Sequence, residues 1–164
     1  MLEDEEIARS VAANGWHAIS VTDQPPEFVY TCGLMTTFDH PEAIILGLSP
    51  QAAYSVLEVI VEDIRGGRSF VAPGIYDGVL VGLPIAVRRV DPTQHELYLG
   101  YAIGHRRHTG NLGGLLAVQV FWPDKRGRFP FEAGCDPDVS VLQPRLDLAV
   151  PESELRAFRR RFRA

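Results

Sequence analysis

Two stretches of the 164-residue chain gather side chains able to do chemistry. The first is Tyr30-Thr31-Cys32-Gly33-Leu34, followed by Phe38-Asp39-His40-Pro41-Glu42. A strand ending in glycine lets backbone approach a ligand closely. Tyr30 and Thr31 offer hydroxyls there, and His40 with Glu42 can act as acid and base. The plainer alternative is that Thr31 and His40 only hydrogen-bond loop backbone. The second stretch is Trp122-Pro123-Asp124-Lys125-Arg126-Gly127-Arg128-Phe129-Pro130-Phe131-Glu132. Pro-Asp-x-x-Gly is the chemistry of a tight turn with glycine at positive φ. The aromatics that follow alternate with Arg128 and Pro130, so they can wall a pocket with one cation facing in. The competing reading is a turn whose rings merely cover one end of the sheet.

Other motifs carry less. His40-Pro41-Glu42 fits the H-x-E of zinc deaminases, but the partner P-C-x-x-C is missing. His105 and His108 stand three apart near a helix end, a spacing that can chelate a metal. With no third ligand placed by the sequence, they read as a solvated, dipole-favoured helix end, and no metal is expected. The arginines at 156, 159, 160, 161 and 163 suit the C-terminal end of an amphipathic helix that buries Leu155, Phe158 and Phe162. No P-loop, dinucleotide fingerprint or G-x-S-x-G elbow is present.

The elements that must position these residues follow from periodicity. A helix is expected over residues 3–14, with Ile7, Ala8, Val11 and Ala12 on one face and Gly15 as its cap. The clearest helix opens at Ser49-Pro50 and stops at Gly66-Gly67. Its stripe of Ala53, Val56, Leu57, Ile60, Val61 and Ile64 demands a sheet to pack on. A third helix, over residues 93–107, opens with a Thr93/Glu96 capping box, and a fourth follows Pro151. Strands are read at 17–21, 28–32, 43–48, 68–72, 80–90 and 115–122. Strands outnumber helices and do not alternate with them. The expected fold is therefore α+β, with a mainly antiparallel, partly closed barrel-like sheet, one long helix across it and shorter terminal helices.

Composition bounds the function classes. With 46% apolar and 23% charged residues and a mean hydropathy of -0.01, the chain reads as one globular domain over residues 1–164. Its two cysteines are too few for a disulfide scaffold or a four-thiolate zinc site. No run reaches the ~18 apolar residues of a membrane span. The acidic start, Met1 to Glu6, reads as no export signal, so a cytoplasmic protein without a membrane partner is expected. The net charge of -5 hides an asymmetry. Residues 1–63 hold 11 acidic groups against Arg9 alone, while residues 64–164 hold 10 against 15 basic ones. An acidic chain is a poor partner for nucleic acid, and the two halves are expected to neutralise each other.

An ordered set of short motifs then coincides: Gly15-Trp16, Phe28-x-Tyr30-Thr31-x-Gly33-Leu34, His40-Pro41-Glu42, Gly47-Leu48, Gln119-x-x-Trp122-Pro123-Asp124, Gly127-Arg128-Phe129-Pro130 and Gln143-Pro144. Over residues 14–146 the chain resembles the bacterial domain of unknown function family 4262. That resemblance implies a bacterial protein of unsettled activity. The order of elements also resembles, loosely, the split barrel of flavin-reductase-like proteins. It would imply a flavin held across a homodimer interface, its phosphate near Thr31, Ser49 or Arg128. The leading expectation is a small-ligand-binding protein whose pocket joins the two stretches through Tyr30, Thr31, His40, Glu42, Asp124 and Arg128. Its rival is a structural or interaction module, with a homodimer among its forms.

Overall fold

The structure, a computed structural model, describes residues 2–111 and 113–163, without the side chains of Leu2 and Arg163. Met1 and the Arg163 side chain, both used in the sequence reading, lie outside the described residues. Along the chain run α1 (Leu2–Asn14), β1 (His17–Val21), β2 (Phe28–Cys32), α2 (Leu34–Phe38), β3 (Glu42–Leu46) and α3 (Pro50–Arg65). Then follow β4 (Gly74–Tyr76), β5 (Ile85–Arg89), α4 (His95–Tyr98), α5 (Gly100–His108), β6 (Ala117–Phe121), α6 (Pro137–Ser140) and α7 (Glu152–Arg163).

The six strands form one mixed sheet in the order β1-β2-β3-β6-β5-β4. Four neighbouring pairs are antiparallel; β3 and β6 run parallel, with Glu42 opposite Ala117. The expected barrel does not close. β1 and β4 remain as free edges, while the α+β class stands and the antiparallel expectation holds for four of the five strand pairs.

α3 does what its stripe demands. Ser49 Oγ accepts from the Ala52 N–H, and all six stripe residues are buried against Val29, Ala43, Ile45, Ile85, Val87, Val118 and Val120. Each of the stripe's Val, Leu and Ile side chains contributes ~1.5–3 kcal/mol of transfer free energy. The opposite face of the sheet is covered too. Phe28, Tyr30, Cys32, Ile44 and Leu46 pack there against Ile7 and Val11 of α1 and Ala102 of α5. Two buried glutamines staple the return of the chain over β6. Gln119 donates to Pro144 O and accepts from the Leu146 N–H, while Gln143 bonds both polar backbone atoms of Trp122.

Several elements differ from expectation for local reasons. Residues 68–72 form no strand, and 80–90 shrinks to β5 because Gly82 and Pro84 interrupt it. β4 pairs only from Gly74 to Tyr76, since Pro73 has no N–H to continue the ladder. Thr93 is not the cap of its helix. Asp91 Oδ1 accepts from the Thr93 N–H and hydroxyl, and Glu96 bonds Arg159 instead. The single helix expected over residues 93–107 breaks between Tyr98 and Gly100, and Tyr101 is exposed.

Candidate functional site

The Gly33 turn connects β2 to α2, and a buried carboxylate organises it. Glu42, at the start of β3, accepts from Thr31 Oγ1 at 2.7 Å and from the N–H groups of Gly33, Leu34 and Met35 at 3.0–3.2 Å. Thr31 Oγ1 in turn accepts from the Ala43 N–H. Burial pushes the Glu42 carboxyl up to about 7, with its four donors pulling the other way. His40 bridges two chain segments: Nδ1 donates to Pro41 O at 2.8 Å, and Nε2 accepts from the Phe70 N–H at 3.0 Å. Those two bonds fix the neutral tautomer. Burial holds its pKa below the usual value, against the bond to Pro41. Tyr30 points to the other face, where its hydroxyl accepts from the Tyr101 N–H.

Asp124 and Arg128 sit elsewhere. The Gly33 turn lies where β3 and β6 begin, whereas Asp124 follows the far end of β6. The structure thus brings Thr31, His40 and Glu42 together and leaves Asp124 and Arg128 at the opposite end of the sheet, so the single pocket expected to join the two stretches does not form. Asp124 accepts from the N–H groups of Arg126, Arg128 and Asp136, which hold its carboxyl below the usual range. Gly127 takes the positive φ of 79° expected of that turn. Arg128 donates to Gly134 O, and Ser49 caps α3, so the three hydroxyl and cationic groups expected around a flavin phosphate are also divided between the two ends.

An open depression does occur beside the His40 clamp. A cleft of about 330 Å³ is lined by Pro41, Val71, Pro73, Arg89, Leu116, Ala117 and Val118. His40 binds the backbone of Pro41 and of Phe70, next to Val71, and so sets the spacing of two of its walls. Pro73 and Arg89 also border a larger groove of about 520 Å³, with Ile75, Arg88, Phe131 and Asp147 on its sides. Phe131 comes from the second stretch, so that stretch does wall a pocket, but the cation over its ring is Arg88, at 3.6 Å from the centroid. Arg88 and Arg145 both bond Asp147, at 3.2 and 2.7 Å. Burial pushes Asp147 up, yet those two arginines together hold it below the usual range.

Arg89 differs from its neighbour. It is exposed, lies between the two depressions, and makes no ion pair or side-chain hydrogen bond among the described residues. It follows Ile85 and Val87 on the same face of β5 and faces Val118 in register. The sequence reading missed it. The available signal was a guanidinium continuing the apolar face of a strand.

His105 is not the solvated group the helix end suggested. It is buried, and neither ring nitrogen has a hydrogen-bond partner among the described residues, while His108 is exposed. Among the described residues no group of three His, Cys, Asp or Glu side chains could hold a metal, and no helix is long and apolar enough to cross a membrane. Cys32 and Cys135 are free thiols. No curated protein and no solved structure matches the chain. A family model described as a domain of unknown function (DUF4262) matches residues 10–136.

Proposed function

The chain belongs to that family of unknown function, and within it we propose that this member binds a small organic anion with an apolar body, its carboxylate on Arg89. The observation that carries this reading is an unpaired guanidinium at the mouth of an otherwise apolar cleft. Ligand sites are typically apolar concavities with few oriented polar groups, and arginine meets a carboxylate with two parallel bonds. Pro41, Val71, Leu116 and Val118 would hold the apolar body. His40 and Glu42 act as positioning residues, the first by clamping the walls and the second by fixing the preceding turn. Thr31 supports Glu42, and Tyr30 anchors α5 from the opposite face.

Calorimetric titration of the purified chain with aliphatic and aromatic monocarboxylates tests this. Binding is expected to strengthen with apolar size until the cleft is filled. Arg89→Gln should weaken it roughly tenfold or more, the worth of one charged hydrogen bond. Arg128→Gln, at the far end of the sheet, should leave the affinity unchanged. Loss of binding in the Arg128 variant alone would move the site to the Asp124 turn. Absence of binding by every acid would sink the ligand reading.

A further inference from the structure

We propose that two copies of this chain pair through the free edge of β4. The sheet has two outer strands, and they differ in protection. β1 is mostly half-buried beneath its surroundings, whereas β4 exposes both Gly74 and Ile75. An outer strand carries a row of N–H and C=O groups that only water or another strand can meet. Proteins that remain single usually guard such an edge with charge. Within β4 no residue is charged; just beyond it stands Asp77, whose carbonyl accepts from Arg68. Apolar side chains stand there instead: Val81 is fully exposed, Ile75 is 58% exposed, and Val71 and Leu83 are also open to solvent.

A second copy is the occupant these features fit. A two-fold contact sets one patch against its own image, so the patch must tolerate itself. Facing charges of one sign would repel across the axis, and this strand has none to face. Antiparallel pairing about Ile75 continues the ladder that ends at β4 and covers the exposed Val81 and Leu83. The groove bordered by Gly74, Ile75, Arg88 and Phe131 opens along the same strand. A second β4 closes its free side.

The test is the mass of the full chain in solution, by sedimentation equilibrium over a wide range of concentration. The wild-type chain is expected to pass from monomer to dimer. Ile75→Lys, which sets two ammonium groups face to face, should weaken pairing roughly tenfold or more, and Val81→Asp should act in the same direction. Both positions are exposed, so circular dichroism and melting of the variants' monomers should match the wild type. Hydrogen exchange gives a second readout, since the amides of residues 74–76 should slow as concentration rises in the wild type alone. A wild-type chain that stays monomeric throughout overturns the proposal. So does a dimer that survives both substitutions, because its contact then lies on another face.

Discussion

Glu42→Ala is expected to destabilise the fold by about 3–5 kcal/mol in urea denaturation. The carboxylate is the acceptor for three consecutive N–H groups and for the Thr31 hydroxyl. Each buried donor left without a partner costs about 1–3 kcal/mol, and water entering the cavity will satisfy part of the set. The same residue gives the fold a pH dependence with a definite sign. Its folded-state pKa, about 7, lies above the ordinary carboxyl value of 4.5 that the unfolded chain has. Folding therefore favours the protonated form. That contribution is complete below pH 4.5 and is lost as pH rises through about 7. By linkage its size is on the order of 3 kcal/mol. Glu42→Gln cannot titrate, so the stability difference between wild type and this variant should shift against the wild type across that window. A difference that stays constant with pH would show that the carboxyl titrates normally.

Gly33→Ala is expected to cost about 2–5 kcal/mol, and to loosen α1 in particular. Gly33 has φ +101°, and a Cβ there would lie 2.7 Å from both methyl groups of Val11. Two costs therefore combine: a backbone conformation unfavourable to any side chain, and a clash with the inner face of α1. Gly67 separates them, because it has the same φ of +101° and no atom within 4 Å of its would-be Cβ. Gly67→Ala should carry only the backbone cost of ~1–2 kcal/mol. The excess in Gly33→Ala should fall when Val11→Ala makes room, which a double-mutant cycle measures. Hydrogen exchange of the α1 amides should quicken in Gly33→Ala and stay unchanged in Gly67→Ala. Equal losses in both variants would mean that α1 yields freely.

Local signals carried the sequence reading as far as they reach. α3 was legible because Ser49, Pro50, the stripe and Gly66 all agree, and each acts within a few residues. β1 and β2 were legible because their β-branched and aromatic residues are bounded by turn residues on either side. The segment Leu-Met-Thr-Thr-Phe that forms α2 carries no such signal. It is helical because the Glu42 carboxylate, supplied from β3, meets its first N–H groups. The parallel pairing of β3 with β6 is a long-range choice that no local window contains, and the barrel expectation failed with it. The candidate site was legible in the same uneven way. Tyr30, Thr31, His40, Glu42 and Asp124 stood out by residue type, and the structure engages each of them with backbone or with one another. Arg89 escaped notice because nothing flanking it in sequence resembles a motif; the cleft around it comes from β6 and the residues before β3 and β4.

The β3–β6 pairing has a consequence for how the chain assembles. Among the described residues it is the sole strand ladder joining β1–β3 to β4–β6. Each set of three pairs strands that follow one another in the chain, but this ladder must close a longer loop, so its formation is expected to come late. Cutting the exposed turn at Gly66-Gly67 would yield a first piece with 11 acidic groups against Arg9 and Arg65, and a second with 14 basic groups against 10 acidic ones. Opposite net charges draw such pieces together before any specific contact exists, and salt weakens the pull. Mixed fragments should therefore reassemble fastest at low ionic strength. The arginine excess of the second piece is expected to draw it onto the first.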